Sequence, residues 1–169
     1  MVTEMDKRSN MVVLSLGGNM GDVKSIFIKS IKLLTNSLGK LDVVSPIYKT
    51  KAWGVENQAD FLNQVVLFST NLNPQEVLQI CLDVESELGR VRKEKWEERV
   101  IDIDILFYED EIIDDSNLTI PHPYVHKRNF VLFPLADIIP SFRHPLLDKT
   151  IEELKNICND KLQVFKCLD

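Results

Sequence analysis

The sequence predicts an α+β fold in which an antiparallel sheet is assembled in the order βαββαβ. Apolar segments of strand length alternate with two stretches of helical periodicity, and turn-forming residues separate them. A third observation concerns the strand predicted at 100–108, VIDIDILFY, which holds two carboxylates in an otherwise apolar alternating run. Because burying an ionised carboxylate without a partner costs several kcal/mol, this strand also predicts a binding site.

The first strand and the first helix are predicted near the N-terminus. MVVLSL at 11–16 is a short apolar run that stops at Gly17 and Gly18, as a central strand does before a turn. Asp22 is placed to cap the following helix, and Gly39 is placed to end it. The buried face of that helix is predicted to carry Val23, Ile26, Phe27, Ser30, Ile31, Leu34 and Leu38.

Two further strands and a second helix follow. The strand predicted at 41–50 contains Pro46, which indicates an edge position or a bulge. FLNQVVLFST at 61–70 is the third strand. Asn73 precedes a proline and a glutamate at capping positions, so a helix is predicted to begin there and to end at Gly89.

The strand at 100–108 has a period of two, which places Ile101, Ile103, Ile105 and Phe107 on one face and Val100, Asp102, Asp104 and Leu106 on the other. A short strand at 111–114 and helices at 129–138 and 150–157 complete the chain. The element order is that of the ferredoxin-like sandwich, an antiparallel sheet with helices on one face, here with C-terminal helical additions. Since that fold serves enzymes, regulators and RNA binders, it does not decide the function.

Composition narrows the class of protein. A chain of 169 residues is long enough for one core, so we expect a single domain at 1–169, with 1–10 as a loose polar lead-in. The net charge of −6 argues against a dedicated nucleic-acid binder. Three scattered cysteines favour neither a disulfide framework nor a zinc site. No apolar run approaches the roughly 20 residues that cross a membrane, and a cytoplasmic location is expected.

Asp102 and Asp104 are the first candidate site residues. These residues are two positions apart on a strand, so their Cα atoms lie roughly 6.6 Å apart and both side chains project from the same face. A divalent cation would convert their repulsion into a ligand set, and Mg²⁺ accepts such sparse carboxylate sites, which water and phosphates complete. For an isolated pair, solvation on an exposed face is the better interpretation; the arginines beside this pair favour the metal.

Those arginines are Arg90 and Arg92, at the end of the second helix, and Arg99, just before the aspartate strand. Each guanidinium can bind phosphate oxygens in bidentate fashion. A metal with arginines and phosphates predicts phosphoryl transfer. The alternative is a solvated charge run, which the interleaved glutamates fit. Trp96, among so many charges, is predicted to cover a nucleotide or to close a loop.

A second group stands apart from this cluster. Phe61 and Phe130 each lie at the start of a predicted element, where aromatic residues either pack in the core or stack on a ligand. The amide of Asn63 can donate to and accept from a planar heterocycle at once. His122 lies between two prolines, so it either faces a phosphate or completes a turn.

Four motifs together carry a resemblance to a known family. They are LSLGGNMGD, TKAWGVENQADFLNQVV, ELGRVR with RVIDIDILFY, and IPHPYVHKRNFVLFPL. With them the chain resembles the 6-hydroxymethyl-7,8-dihydropterin pyrophosphokinases of folate biosynthesis. The motifs follow the family's order and spacing from about residue 12 to 139, and their combination is highly specific.

The resemblance implies that ATP gives its β,γ-pyrophosphoryl group to the hydroxymethyl oxygen of the reduced pterin, leaving AMP, with two magnesium ions. It implies that Asp102 and Asp104 hold the metals and that Arg90 and Arg99 act with them in catalysis. The implied ATP-binding residues are Glu85, Arg90, Arg92, Trp96, Arg99, His122 and Arg128. The implied pterin-binding residues are Thr50, Ala52, Trp53, Phe61, Asn63 and Phe130. Small-molecule substrates, a monomer, and no nucleic-acid or membrane partner are expected.

Three positions depart from the family pattern. Gly18 stands where serine is frequent, which should loosen the first turn while leaving Asn19 in place. Ala52 replaces a frequent proline, and Tyr124 stands where arginine is expected.

The loop at 90–99 is expected to become ordered only with ATP and magnesium.

Two hypotheses from other classes compete with the enzyme. A ferredoxin-like RNA-binding module would place the arginines on a phosphate backbone and the phenylalanines on bases. It is weakened by the acidic net charge and by the lack of an aromatic-rich signature on a central strand. A small-molecule sensor without catalysis would have no use for the aspartate pair.

Overall fold

One antiparallel sheet organises the chain, and its central strand is the one at 61–70. This computed structural model describes residues 9–51, 58–90 and 98–168. The strands are β1 (Asn10–Gly18), β2 (Gly39–Val44), β3 (Tyr48–Thr50), β4 (Phe61–Thr70), β5 (Asp102–Tyr108), β6 (Ile113–Asp114), β7 (Thr119–Ile120) and β8 (Val164–Lys166). The helices are α1 (Val23–Leu38), α2 (Pro74–Glu87), α3 (Asn129–Ile138) and α4 (Ile151–Ile157), with a 3-10 turn at Val125–Lys127.

The strand order is β5-β1-β4-β3-β8, and β2 pairs with the far end of β4. Every pairing is antiparallel, so the predicted ferredoxin-like fold is confirmed. The strand predicted at 41–50 is divided into β2 and β3 around Pro46. At the break, the Ser45 hydroxyl accepts from the Val65 N–H at 2.9 Å, and the Ser45 N–H donates to the Val65 carbonyl at the same distance. These two bonds keep β4 paired across the interruption.

Helices α1 and α2 cover one face of the sheet. Their predicted start signals are present: the Asp22 carboxylate accepts from the Ser25 N–H at 3.2 Å, and Asn73 forms a capping box with Glu76. Phe27 and Leu34 of α1 are buried against the strands. Burial of this apolar stripe, rather than helix propensity, is the main source of stability for such helices.

Helices α3 and α4 cover the other face, so the sheet is enclosed from both sides instead of one. Val131, Leu132 and Leu135 of α3 pack with Ile151 and Leu154 of α4 on side chains of the central strands. Helix α3 begins and ends where the sequence predicts, and α4 begins at Ile151 with Thr150 as its cap. The helical additions are therefore the second layer of the core.

The predicted alternation in β5 is wrong at its end. Leu14 pairs with Ile105 whereas Val13 pairs with Phe107, so Leu106 is an extra residue in the ladder. This bulge turns Phe107 toward α3 and α4, away from the isoleucines with which alternation grouped it. Asp102 and Asp104 precede the bulge and share one face as predicted.

The last strand, β8, was not expected from the sequence. It pairs with β3 and forms one edge of the sheet, with Thr50 opposite Val164. It has only three residues, and its half-exposed side chains lack a clear apolar alternation. None of the helices within the described ranges is long and apolar enough to cross a membrane.

Candidate active site

A row of residues crosses three strands on the face that α3 covers. Asn63 of β4 pairs with Gly17 of β1, and Gly17 pairs with Asp102 of β5. Directly paired residues share a face, so the amide and the carboxylate project to the same side, roughly 10 Å apart at two strand spacings. Gly17 has no side chain, and a Cβ there would lie 3.4 Å from the Asn63 Oδ1 atom. No side chain of β1 therefore lies between the amide and the carboxylate.

Asp104 lies one step further along the same face, opposite Ser15. Burial, together with the negative charges of Asp102 and Glu85, raises the pKa of its carboxyl from 3.8 to about 7 against the opposing effect of Arg128 and Arg90. Within the described ranges, no group donates a hydrogen bond to this carboxylate.

The aspartate pair fits a hard divalent cation. Two carboxylates on one face, one of them unfavourable as an anion, would gain from a positive charge placed between them. Among the described residues, no third acidic, histidine or cysteine side chain joins them in a metal-binding cluster. Mg²⁺ suits such a pair, because it keeps several waters and takes phosphate oxygens from a substrate.

Two arginines occupy the Asp102 carboxylate. The Nη1 atom of Arg90 lies 2.7 Å from Oδ1, and the Nη1 atom of Arg99 lies 2.7 Å from Oδ2. Arg90 also forms an ion pair with Glu85, so four charged side chains neutralise one another in a chain. Because a guanidinium also binds phosphate oxygens, both arginines can exchange a carboxylate oxygen for a phosphate oxygen.

Glu85 is placed to hold this arrangement. Its side chain is 4% exposed. Its Oε1 atom accepts from the Ile103 N–H at 2.6 Å, on the strand residue between the two aspartates. Burial raises the pKa of Glu85, while the Ile103 N–H and Arg90 lower it. Glu85 therefore joins α2, Arg90 and β5.

Asn19, in the turn after β1, connects the two ends of the site. Its Oδ1 atom accepts from the Arg99 N–H at 2.9 Å, and its own backbone N–H donates to the Arg99 carbonyl at 3.0 Å. Its Nδ2 group donates to the Ala59 carbonyl at 3.2 Å, two residues before Phe61. At Gly18 in the same turn, a Cβ would lie only 2.7 Å from the Val100 carbonyl oxygen, so a serine could not be accommodated there without a shift of the backbone.

His122 is held by the chain on both sides of it. Its N–H donates to the Leu106 carbonyl at 3.0 Å, and its Nδ1 atom accepts from the Tyr124 N–H at 3.2 Å. Burial, together with the positive charge of Arg128, lowers the pKa of His122 from 6.5 to about 4. The ring is therefore neutral at pH 7, with its proton on Nε2, where it can donate one hydrogen bond.

Arg128 lies between the aromatic groups near α3. Its guanidinium carbon is 4.7 Å from the centre of the Tyr124 ring and 5.6 Å from that of the Phe130 ring. Tyr124, where arginine was expected, thus supports an arginine that lies nearby. Since Arg128 also lowers the pKa of Asp104, its charge acts on the metal-binding candidate as well.

The opposite end of the site is built from neutral groups. Phe61 pairs with Thr50, and the Asn63 Nδ2 group donates to the Thr50 hydroxyl at 3.4 Å. Asn63 and Thr50 are 5% and 3% exposed, so the sheet fixes both side chains. Phe130, at the start of α3, lies on the same face.

The structure thus brings most of the predicted site residues to one face of the sheet. Ala52, Trp53, Arg92 and Trp96 lie outside the described residues, as does most of the 90–99 loop. Sequence reasoning gave no site role to Asn19 or Gly17. Their signal was the turn LGGNMGD, whose glycines and asparagine follow a buried strand.

The arginines and the aspartate pair on this face fit the class of phosphoryl-transfer enzymes. The family model of 7,8-dihydro-6-hydroxymethylpterin-pyrophosphokinase (HPPK) matches residues 13–140. The chain belongs to this family. Membership decides against the RNA-binding and sensor hypotheses.

Relatives that are named as pyrophosphokinases of this kind are similar to this chain over most of their length. The 2-amino-4-hydroxy-6-hydroxymethyldihydropteridine pyrophosphokinase of Aquifex aeolicus is 43% identical over 157 residues, covering 93% of this chain and 96% of that protein. The Bacillus subtilis protein of that name is 40% identical over 131 residues, covering 77% and 78%.

A crystal structure of Plasmodium falciparum HPPK-DHPS superimposes with a TM-score of 0.74 at 22% identity. It covers 90% of this chain but only 45% of that longer chain. At this identity the likeness supports the fold alone.

Proposed function

We propose that this protein transfers pyrophosphate from ATP to the hydroxymethyl group of 6-hydroxymethyl-7,8-dihydropterin in folate biosynthesis, giving AMP and the pterin diphosphate. The observation that carries the proposal is the row Asn63, Gly17 and Asp102, which places a neutral amide and a carboxylate on one face with no side chain of β1 between them. Membership of the HPPK family supports it.

The pterin binds at the neutral end. Phe61 and Phe130 stack on its two faces, and the Asn63 amide pairs with its edge, since one amide both donates and accepts. Thr50, with the backbone of the Ala52 and Trp53 segment, completes the edge contacts. Asn63 orients the ring so that its hydroxymethyl group points over Gly17 toward Asp102.

The triphosphate binds at the charged end. Arg90 and Arg99 leave Asp102 for phosphate oxygens, and Arg92, Trp96, Arg128 and the His122 Nε2–H add contacts to the nucleotide. Asp102 and Asp104 would hold two Mg²⁺ ions, which neutralise phosphate charge when bound. The enzyme is therefore proposed to depend on magnesium.

The reaction needs placement and charge neutralisation rather than a protein nucleophile. The pterin hydroxymethyl oxygen attacks the β-phosphorus in line with the bond to the α-phosphate oxygen, and its proton passes to solvent water; the bond to the α-phosphate oxygen breaks, and AMP leaves with its electron pair. Arg90 and Arg99, the proposed catalytic arginines, stabilise the charge that develops on the transferred group and on AMP.

The setting of the enzyme is also proposed. The protein is proposed to be one domain at 1–169 that acts as a monomer in the cytoplasm on small molecules. It is proposed to have no nucleic-acid or membrane partner, which agrees with the net charge of −6.

Product analysis tests the proposal. Incubation with ATP, Mg²⁺ and 6-hydroxymethyl-7,8-dihydropterin should give one AMP per pterin diphosphate, and omission of Mg²⁺ should stop turnover. Formation of ADP instead of AMP would mean transfer of a single phosphoryl group and would contradict the proposal. Asp102→Asn serves as the inactive control.

A further inference from the structure

The segment after α4 reaches the start of α3, although it lies beyond residue 140, where the family match ends. The Oδ2 atom of Asp160 accepts from the Asn129 N–H at 2.9 Å, and its Oδ1 atom accepts from the Leu162 N–H at 2.9 Å. In return, the Asn129 side-chain amide donates to the carbonyls of Asp160 at 3.1 Å and Leu162 at 3.4 Å. Three of these hydrogen bonds join the two segments, and the Leu162 N–H bond orders the turn at Asp160 itself.

Asp160 supplies a cap that the local sequence of α3 lacks. The residue before the helix is Arg128, which makes no side-chain hydrogen bond to the helix start. The first N–H groups of a helix have no partner within it, and a carboxylate there both accepts from them and interacts favourably with the helix dipole. Here the carboxylate comes from Asp160, 31 residues further along the chain.

The capped turn carries part of the proposed pterin pocket. Phe130 is the second residue of α3, and the Arg128 guanidinium lies 5.6 Å from its ring. After Asp160 the chain continues into β8, where Val164 pairs with Thr50 on the opposite wall of that pocket. A single C-terminal segment is therefore bonded to both walls.

We propose that Asp160 is a positioning residue for the pterin pocket: it orders the first turn of α3, so that Phe130 is in place before the pterin binds. The inference rests on the proposed function, because it takes Phe130 as a wall of that pocket. Without the cap the first turn frays, and pterin binding must then supply the free energy that orders it.

Two measurements on Asp160→Ala test the role. Hydrogen exchange of the amides at 129–132 should be faster than in the wild type in the absence of ligands. The Kd of hydroxymethyl-dihydropterin, titrated in the presence of Mg²⁺ and a non-hydrolysable ATP analogue, should rise about tenfold, since ~1.4 kcal/mol lies within the range for loss of an N-cap. Asp160→Asn keeps an acceptor for the Asn129 N–H and should restore most of the affinity.

Glu153→Ala is the matched control. It removes a capping contact of similar kind from α4, where Glu153 accepts from the Thr150 N–H at 2.7 Å, without touching α3. The control should lower stability and leave the pterin Kd unchanged. An equal rise in the Kd for both variants would overturn the positioning role and leave only a general effect of stability.

Phe130→Ala separates this inference from the proposed function. If Phe130→Ala leaves the pterin Kd unchanged, the pocket assignment fails and the positioning role fails with it. If Phe130→Ala weakens pterin binding while Asp160→Ala, folded and with faster exchange, binds pterin as the wild type does, the inference alone is overturned. Should Asp160→Ala not fold, Asp160→Glu displaces the carboxylate from the Asn129 N–H by one methylene, and an unchanged pterin Kd with faster exchange at 129–132 has the same meaning.

Discussion

The two ends of the site, on one face of one sheet, are held in different ways. At the neutral end, Thr50, Phe61 and Asn63 are fixed by strand pairing and a hydrogen bond between uncharged groups. At the charged end, Arg90 and Arg99 both occupy the Asp102 carboxylate.

This difference indicates what each substrate has to change. A planar acceptor can enter the neutral end without breaking an ion pair, so most of its binding free energy is retained. A nucleotide with its metal must replace internal ion pairs at the charged end, exchanging one set of charge contacts for another. Changes at the charged end should therefore affect turnover most, and changes at the neutral end should affect pterin affinity.

The largest effect is expected at the aspartates. Asp102→Asn or Asp104→Asn should lower the rate of AMP formation about 10³-fold or more. Each change removes a proposed metal ligand together with a negative charge that offsets the charge of the arginines. Circular dichroism should show an intact fold. A rate within tenfold of the wild type for either variant would remove that aspartate from the metal site.

A smaller effect is expected when lysine replaces Arg90, because the positive charge is kept and the planar guanidinium is lost. Arg90→Lys should lower kcat about 10²-fold, because Arg90 contacts Glu85 and Asp102 at once and a lysine presents a single point charge. Arg143→Lys is the control, since Arg143 forms an exposed pair with Asp148. Equal activity of the two lysine variants would show that charge alone suffices at the charged end.

Asn19 bonds to the two ends of the site through different side-chain atoms, so the two contacts can be removed separately. Asn19→Asp keeps the acceptor for the Arg99 N–H but replaces the donor to the Ala59 carbonyl by a second oxygen. The KM for pterin should rise roughly tenfold, consistent with loss of a buried hydrogen bond, while the KM for ATP changes less. Asn19→Ala, which loses both bonds, should raise both. If Asn19→Asp changes the KM for pterin and the KM for ATP equally, the two contacts of Asn19 do not act separately.

The smallest effect concerns stability, away from both ends. His144 is 3% exposed, its Nδ1 atom accepts from two backbone N–H groups, and burial lowers its pKa from 6.5 to about 4. The unfolded state therefore binds more protons between these values, so the stabilisation is complete above pH 6.5 and is lost as pH falls through about 4.

Urea unfolding at a series of pH values measures this loss. The free energy of unfolding should fall between pH 6.5 and 4, by at most ~1.4 kcal/mol per pH unit for one proton. His144→Asn offers an oxygen to the same N–H groups without titrating, so its slope should be smaller. The same slope in both proteins would assign the loss to other groups.

Much of the fold was predictable because its signals are local. The caps of α1 and α2, the helical periodicity and the strand carrying Asp102 and Asp104 each depend on neighbouring residues, and each was found. The bulge at Leu106 was not predictable, since it arises from the register against β1. Strand β8 was missed because a three-residue edge strand is defined by its partner.

The site was predictable in its residues but not in its connections. Motif spacing identified the charged residues, yet no pattern in the sequence shows that Arg90 and Arg99 meet on one carboxylate. Nor could spacing show that Asp160 caps a helix 31 residues earlier. Such contacts depend on how distant segments meet, and that information lies in the fold.

The central claim, that one face holds two separable substrate sites, is tested most directly by a pair of affinities in two variants. The Kd of hydroxymethyl-dihydropterin and the Kd of a non-hydrolysable ATP analogue with Mg²⁺ are measured in Phe130→Ala and in Asp102→Asn. Phe130→Ala should raise the pterin Kd about 10- to 100-fold, as loss of one stacking contact does, and leave the nucleotide Kd nearly unchanged. Asp102→Asn should do the reverse. Equal losses for both ligands in either variant would contradict the account.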